Sequence, residues 1–134
     1  MSRLLHRSAF LAAVLLTFQI GSWGLAAADR NGIAFVNGIE DLPLMDGLRE
    51  AEGESMVFDT AAGRIVESYA SGTVTRRQVL EFYTSTLPQL GWRQSGKSTF
   101  QREDEILKLE FSAAAKPALT VRFALSPANA AAAR

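Results

Sequence analysis

Glu67 lies mid-strand in a β-forming run, two residues before Tyr69, and a carboxyl that is partly desolvated there is the kind of acid a glycosidase-like hydrolysis would use. Such chemistry needs a second carboxylate, and periodicity places none beside Glu67, so a side chain turned to water is the plainer expectation. Glu103, Asp104 and Glu105 bring together oxygen donors of the type calcium prefers. They lack the spaced ligands and the glycine of a calcium loop, and they fall where a hairpin should turn; a solvated turn is expected instead. Asp41 and Asp46 fail the same test. Residues 91–98, Gly-Trp-Arg-Gln-Ser-Gly-Lys-Ser, match the letters of a phosphate-binding loop. That loop must follow a strand and open a helix, whereas this one should follow a helix and enter a strand, so no phosphate site is expected. No Ser-x-x-Lys motif occurs to support a Ser-Lys mechanism.

The residue types that titrate near neutrality are almost missing. The chain has no cysteine, and its one histidine is His6. If residues 1–28 are removed, as argued next, the remaining domain has neither imidazole nor thiol. That excludes Ser-His-Asp and Cys-His mechanisms, His- or Cys-built zinc and copper sites, iron-sulfur clusters and His- or Cys-ligated haem. We therefore expect no enzyme, no cofactor and no metal site, and no disulfide to staple the fold.

Arg3, His6 and Arg7 precede an apolar run over residues 9–20, and Ala26, Ala27 and Ala28 precede Asp29. This is the layout of a secretory signal cleaved after Ala28, which places the remainder in the periplasm or outside the cell. The alternative is an inner-membrane anchor, because residues 8–28 carry no charge. Gln19, Gly21, Ser22 and Gly24 interrupt that stretch and favour cleavage, after which no stable membrane insertion is expected. Of 134 residues, 106 would remain, enough for one small domain.

Subtracting Arg3 and Arg7 from 14 basic residues leaves 12 against 14 acidic ones, a net charge of about −2. Nucleic acid is not an expected partner. Residues 29–59 hold eight acids and two bases, residues 60–134 ten bases and six acids. An acidic extended arm over residues 29–54 should therefore lie over a mildly basic body, with Leu42, Leu44, Met45 and Leu48 as apolar pegs.

The elements that position these residues are readable from residue 55 onward. Residues 56–60 and 64–70 read as a hairpin around Ala61-Ala62-Gly63. Alternation sets Ile65, Glu67 and Tyr69 on one face and Val66, Ser68 and Ala70 on the other, without saying which is buried. Thr75 and Gln78 spell a capping box, with Val74 and Val79 as its hydrophobic staple. Val79, Leu80, Tyr83, Leu87 and Leu90 follow helical spacing, and Gly91-Trp92 reads as a Schellman exit, tightened at Pro88. Strands follow at 92–94 and 98–102, then a turn at Glu103-Asp104. Leu107, Leu109 and Phe111, and Leu119, Val121, Phe123 and Leu125, alternate with polar residues as two half-buried antiparallel strands. Lys108, Glu110 and Arg122 then point outward as a cross-strand charge ladder. Tyr83 and Trp92 either line a groove between helix and sheet or fill the core, and the core is expected. Residues 127–134 should fray.

The predicted fold is α+β, an antiparallel sheet of five to six strands with one helix on one face, in the order ββαββββ over residues 55–126. Asp41-Leu42-Pro43-Leu44-Met45-Asp46-Gly47, Phe82-Tyr83, Leu87-Pro88 and Gly91-Trp92 resemble the layout of short exported bacterial proteins of unknown function. In those, a Pro-to-Gly lead-in precedes a hairpin, a helix ending in Gly-Trp and a β-meander. More loosely the layout is similar to helix-grip domains of envelope assembly lipoproteins, whose lipid-carrying cysteine is missing here. The resemblance covers about residues 41–125 and implies a layout without an activity. The function expected is a non-enzymatic module binding an envelope protein or peptide; the alternatives are a small carboxylate-dependent hydrolase or a carrier of an apolar ligand.

Overall fold

A computed structural model describes residues 32–113 and 117–131. The expected signal segment over residues 1–28 and the last residues of the tail, 132–134, lie outside the described residues. In chain order the elements are β1 (Arg49–Glu50), β2 (Met56–Thr60), β3 (Gly63–Gly72), helix α1 (Arg76–Thr86), a 3-10 turn (Leu87–Leu90), β4 (Arg93–Gly96), β5 (Thr99–Arg102), β6 (Glu105–Ala113), β7 (Leu119–Pro127) and a single turn α2 (Ala128–Ala131).

The helix begins and ends as its residues dictate. Thr75 Oγ1 accepts from the Gln78 amide at 3.2 Å and Gln78 Oε1 accepts from the Thr75 amide at 2.8 Å, so the capping box closes in both directions. Pro88 offers no N–H, and the chain tightens into the 3-10 turn there. Gly91 then takes a φ of 85°, and the Trp92 amide donates to the Leu87 carbonyl at 3.0 Å, the Schellman exit.

The seven strands of the described residues join one antiparallel sheet in the order β1-β3-β7-β6-β5-β4, with β2 continuing the β1 side of β3. This is the expected α+β class, but β1 adds a strand before the hairpin and raises the count beyond six. Two residues, Arg49 and Glu50, carry no strand pattern of their own; they pair because Gly72 lets the arm pass close against β3, and the Ala51 amide donates to the Tyr69 carbonyl at 2.9 Å.

Register stacks the core in rows across the strands. Ala70, Val121 and Phe111 form one row, Ser68, Phe123 and Leu109 the next, and Val66, Leu125, Leu107 and Phe100 the third. These rows, partly buried Phe111 included, cluster with Val79, Tyr83 and Leu87 of α1 and the turn after it. That assigns the faces of β3: Val66, Ser68 and Ala70 are inward. Ser68, the one buried polar side chain there, shares a 3.0 Å hydrogen bond with Ser55.

The arm is pinned more firmly than four pegs would require. Leu42 and Leu48 are buried and Leu44 and Met45 pack against the core, as expected, and Val36 and Ile39 are buried too. Tyr83 donates its hydroxyl to the Pro43 carbonyl at 3.0 Å, and Arg102 pairs with Asp41. Near its start the arm makes one isolated antiparallel bridge, Phe35 with Pro43. Fraying expected from residue 127 onward is not found in the described part: Pro127 pairs with Glu105 as the last residue of β7, and the Ala128 amide donates to the Asp104 carbonyl at 2.7 Å.

Candidate functional site

The outward face of the sheet carries the charged residues. Arg122 on β7 lies opposite both Tyr69 on β3 and Glu110 on β6, and its guanidinium donates to Glu67 on one side and Glu110 on the other. Lys108 adds a 2.9 Å ion pair to Glu110, and the Tyr69 hydroxyl lies 3.3 Å from Glu67. The expected ladder of Lys108, Glu110 and Arg122 is present, with Glu67 as an additional member. The hydrogen bond to Glu67, then that to Glu110, pushes the Arg122 guanidinium up from its ordinary value; hydrogen bonding from Lys108, then Arg122, holds Glu110 below its usual 4.5. Glu110 is stabilising while ionised, so its contribution is complete above pH 4.5 and is lost as the pH falls through its lower folded-state value. Denaturant midpoints measured down the acid limb should therefore drop below about pH 4.5, and Glu110→Gln should flatten that drop. A slope unchanged in the variant would show that the pair is not formed in solution.

The two rims of the sheet differ in kind. At one rim β4 is exposed throughout, but its residues are Arg93, Gln94, Ser95 and Gly96, and its register shifts between Gln94 and Gly96. Polar side chains and a bulge are the usual protection of an edge against further pairing. At the other rim β2 is also exposed along its whole length, and it presents Met56 at 46 %, Val57 at 47 % and Phe58 at 53 % exposure. Its five residues pair with β3 in unbroken register, and among the described residues it has no partner strand on its outer side. Lysine, proline and bulge are all missing from it. Phe35 and Ile33 of the arm are exposed large apolar side chains as well. Outward of the same hairpin a hollow of about 330 Å³ is lined by Ile65, Glu67, Arg122, Ala124, Ser126 and Ala130, and Phe58 pairs with Ile65 at its border.

Acids outnumber bases around this rim, where Arg64 of β3 lies directly opposite Asp59. Glu52 and Glu54 in the loop between β1 and β2, and Asp59 within β2, are exposed. Among the described residues the ion pairs engage Asp41, Glu67, Glu81, Glu105 and Glu110 and none of these three.

Tyr83 and Trp92, the residues of the possible groove, are both buried. Burial pushes the Tyr83 hydroxyl up from 10.0, and Arg102 lies over the Trp92 ring at 4.4 Å. Beside the start of α1 a hollow of about 400 Å³ is lined by Arg76, Leu80, Lys97, Ser98, Leu109 and Phe111. Glu103 and Asp104 form the expected β5–β6 turn, with Glu103 at a φ of 50°, and Glu105 pairs with Arg102 at 3.6 Å. Residues 91–98 run from the Gly91 cap into β4 and open no helix. Among the described residues no three acidic side chains converge as a metal site, and no helix is long and apolar enough to cross a membrane.

Comparison with protein-family models, curated proteins and solved structures yields no match in any of the three. The functional reading rests on the chain's own chemistry.

Proposed function

We propose that this is an exported, non-enzymatic module that binds an envelope protein or peptide, and that β2 is the strand it offers. The observation that carries the reading is the contrast between the rims: β4 is polar and bulged, β2 regular and apolar at Met56, Val57 and Phe58. A protein avoiding association would be expected to treat both alike. Export is supported by the basic, apolar and small-residue succession of residues 1–28, and a role without catalysis by the lack of cysteine and, once that segment with His6 is removed, of histidine. An added strand would gain main-chain hydrogen bonds along β2 and apolar contact on its flanks.

The hydrolase reading keeps one supporting observation, that Glu67 and Glu110 flank a single Arg122. Both carboxylates, however, hold that guanidinium between them, which suits a structural clasp better than an acid and a base flanking a substrate. The 400 Å³ hollow beside α1 would serve an apolar carrier poorly, since Arg76 and Lys97 stand among its lining.

A photo-reactive residue in place of Phe58, introduced into the full chain in living cells, should form an adduct with a distinct polypeptide, and the same residue in place of Gln94 should not. Adducts of equal yield from both rims, or none from Phe58, would sink the proposal.

A further inference from the structure

We infer that the occupant of the β2 rim is an extended segment alternating apolar with basic residues, contributed by another polypeptide and not by a second copy of this chain; the inference rests on the binding reading above. In β2, Met56 and Phe58 share the outward face with their partners Glu67 and Ile65, while Val57 and Asp59 alternate to the helix side. A strand laid antiparallel along this rim sets its alternate residues against Met56 and Phe58, where an apolar side chain is matched. Its intervening residues and its ends meet Asp59 and the exposed Glu52 and Glu54. Cross-strand opposition rewards opposite charge and penalises like charge. Lysine or arginine is therefore the complement.

A second copy is disfavoured by the same rule. In the two-fold register centred on Val57, Asp59 of each copy falls opposite Ser55 of the other and Thr60 opposite Glu54, so acids gather at both ends of a short pairing and neither gains an opposite charge. Centring on Phe58 sets Asp59 over Val57 and leaves each carboxylate against an apolar neighbour. β2 itself holds no basic residue, and the base that faces Asp59 is Arg64 on the β3 side, away from the open edge.

The test uses protein purified from cells expressing the full chain and two short end-capped peptides, one alternating valine with lysine and one alternating valine with glutamate. The lysine peptide should bind at least about tenfold more tightly, and its affinity should weaken with salt. Phe58→Ser should cost it about tenfold, and Asp59→Asn a few-fold, with thermal melts near the parent's because both side chains are exposed. Equal binding of both peptides would overturn the charge assignment while leaving the rim as a polypeptide site. Binding of the lysine peptide unaffected by Phe58→Ser would overturn the location. A dimer dissolved by Phe58→Ser would make the second copy the occupant and overturn the inference, as would a monomer that takes up neither peptide. An acidic segment recovered from the Phe58 adduct would overturn this inference alone, whereas the lack of any adduct overturns the binding reading itself.

Discussion

Gly72→Ala should destabilise the protein by about 3 kcal/mol, the upper end of what overpacking costs, and lower its melting temperature by more than about 10 °C. A Cβ built at Gly72 would stand 1.9 Å from the Gly47 carbonyl oxygen and 2.9 Å from its carbon, both backbone atoms with no rotamer to yield. The clash is purely one of proximity, since Gly72 itself has no left-handed conformation to defend. Relief must come from lifting the arm, and the arm is held by Leu48 in the core and by the β1 pairing of Arg49 with Ser71. Hydrogen exchange should show the loss first at the amides of Leu48 and Ala51, which donate to Met45 and Tyr69. A variant that melts within a degree or two of the parent would mean that the arm does not cross β3 there.

Trp92→Ala should cost about 3–5 kcal/mol, the range for deleting a large buried aromatic. The ring is 2 % exposed, sits one residue beyond the Gly91 cap and supports the Arg102 guanidinium, which in turn holds Asp41 of the arm and the Leu90 carbonyl. Among the described residues its indole nitrogen has no hydrogen-bond partner. Trp92→Phe therefore gives up surface without breaking a polar contact, and about 1–2 kcal/mol is expected from chemical denaturation. Equal losses from phenylalanine and alanine would show that the indole N–H is bonded after all.

What the sequence made legible followed from how local the deciding interactions are. The α1 caps were readable because Thr75, Gln78, Gly91 and Trp92 act on backbone groups within a few residues. β6 and β7 were readable because each strand has one dry face and one wet one, so Leu107 and Leu109 alternate with Lys108 and Glu110. Val36 and Ile39 escaped notice because turn-rich sequence has no period to reveal a buried side. Glu67 joined the Arg122 ladder through a register spanning 55 residues, which no local pattern encodes. The rim was hidden for a related reason: Met56, Val57 and Phe58 look like a core strand, and only the position of β2 outside β3 leaves them wet. Strand composition reports how a segment would pair, and its rank in the sheet decides whether water remains on the other side.

The sheet order has a consequence for how the molecule comes into being. On its inner flank β3 pairs with β7, the last strand of the chain, through seven residue pairs from Val66–Leu125 to Gly72–Leu119. A ribosome delivers β3 some fifty residues earlier, so throughout that interval the nascent hairpin exposes Val66 and Ala70 as well as Met56 and Phe58, with neither flank closed. Helix and meander can assemble from neighbours as they emerge, but the centre of the sheet waits for the final strand. A chain cut short before Leu119 thus forfeits its middle, not merely its end.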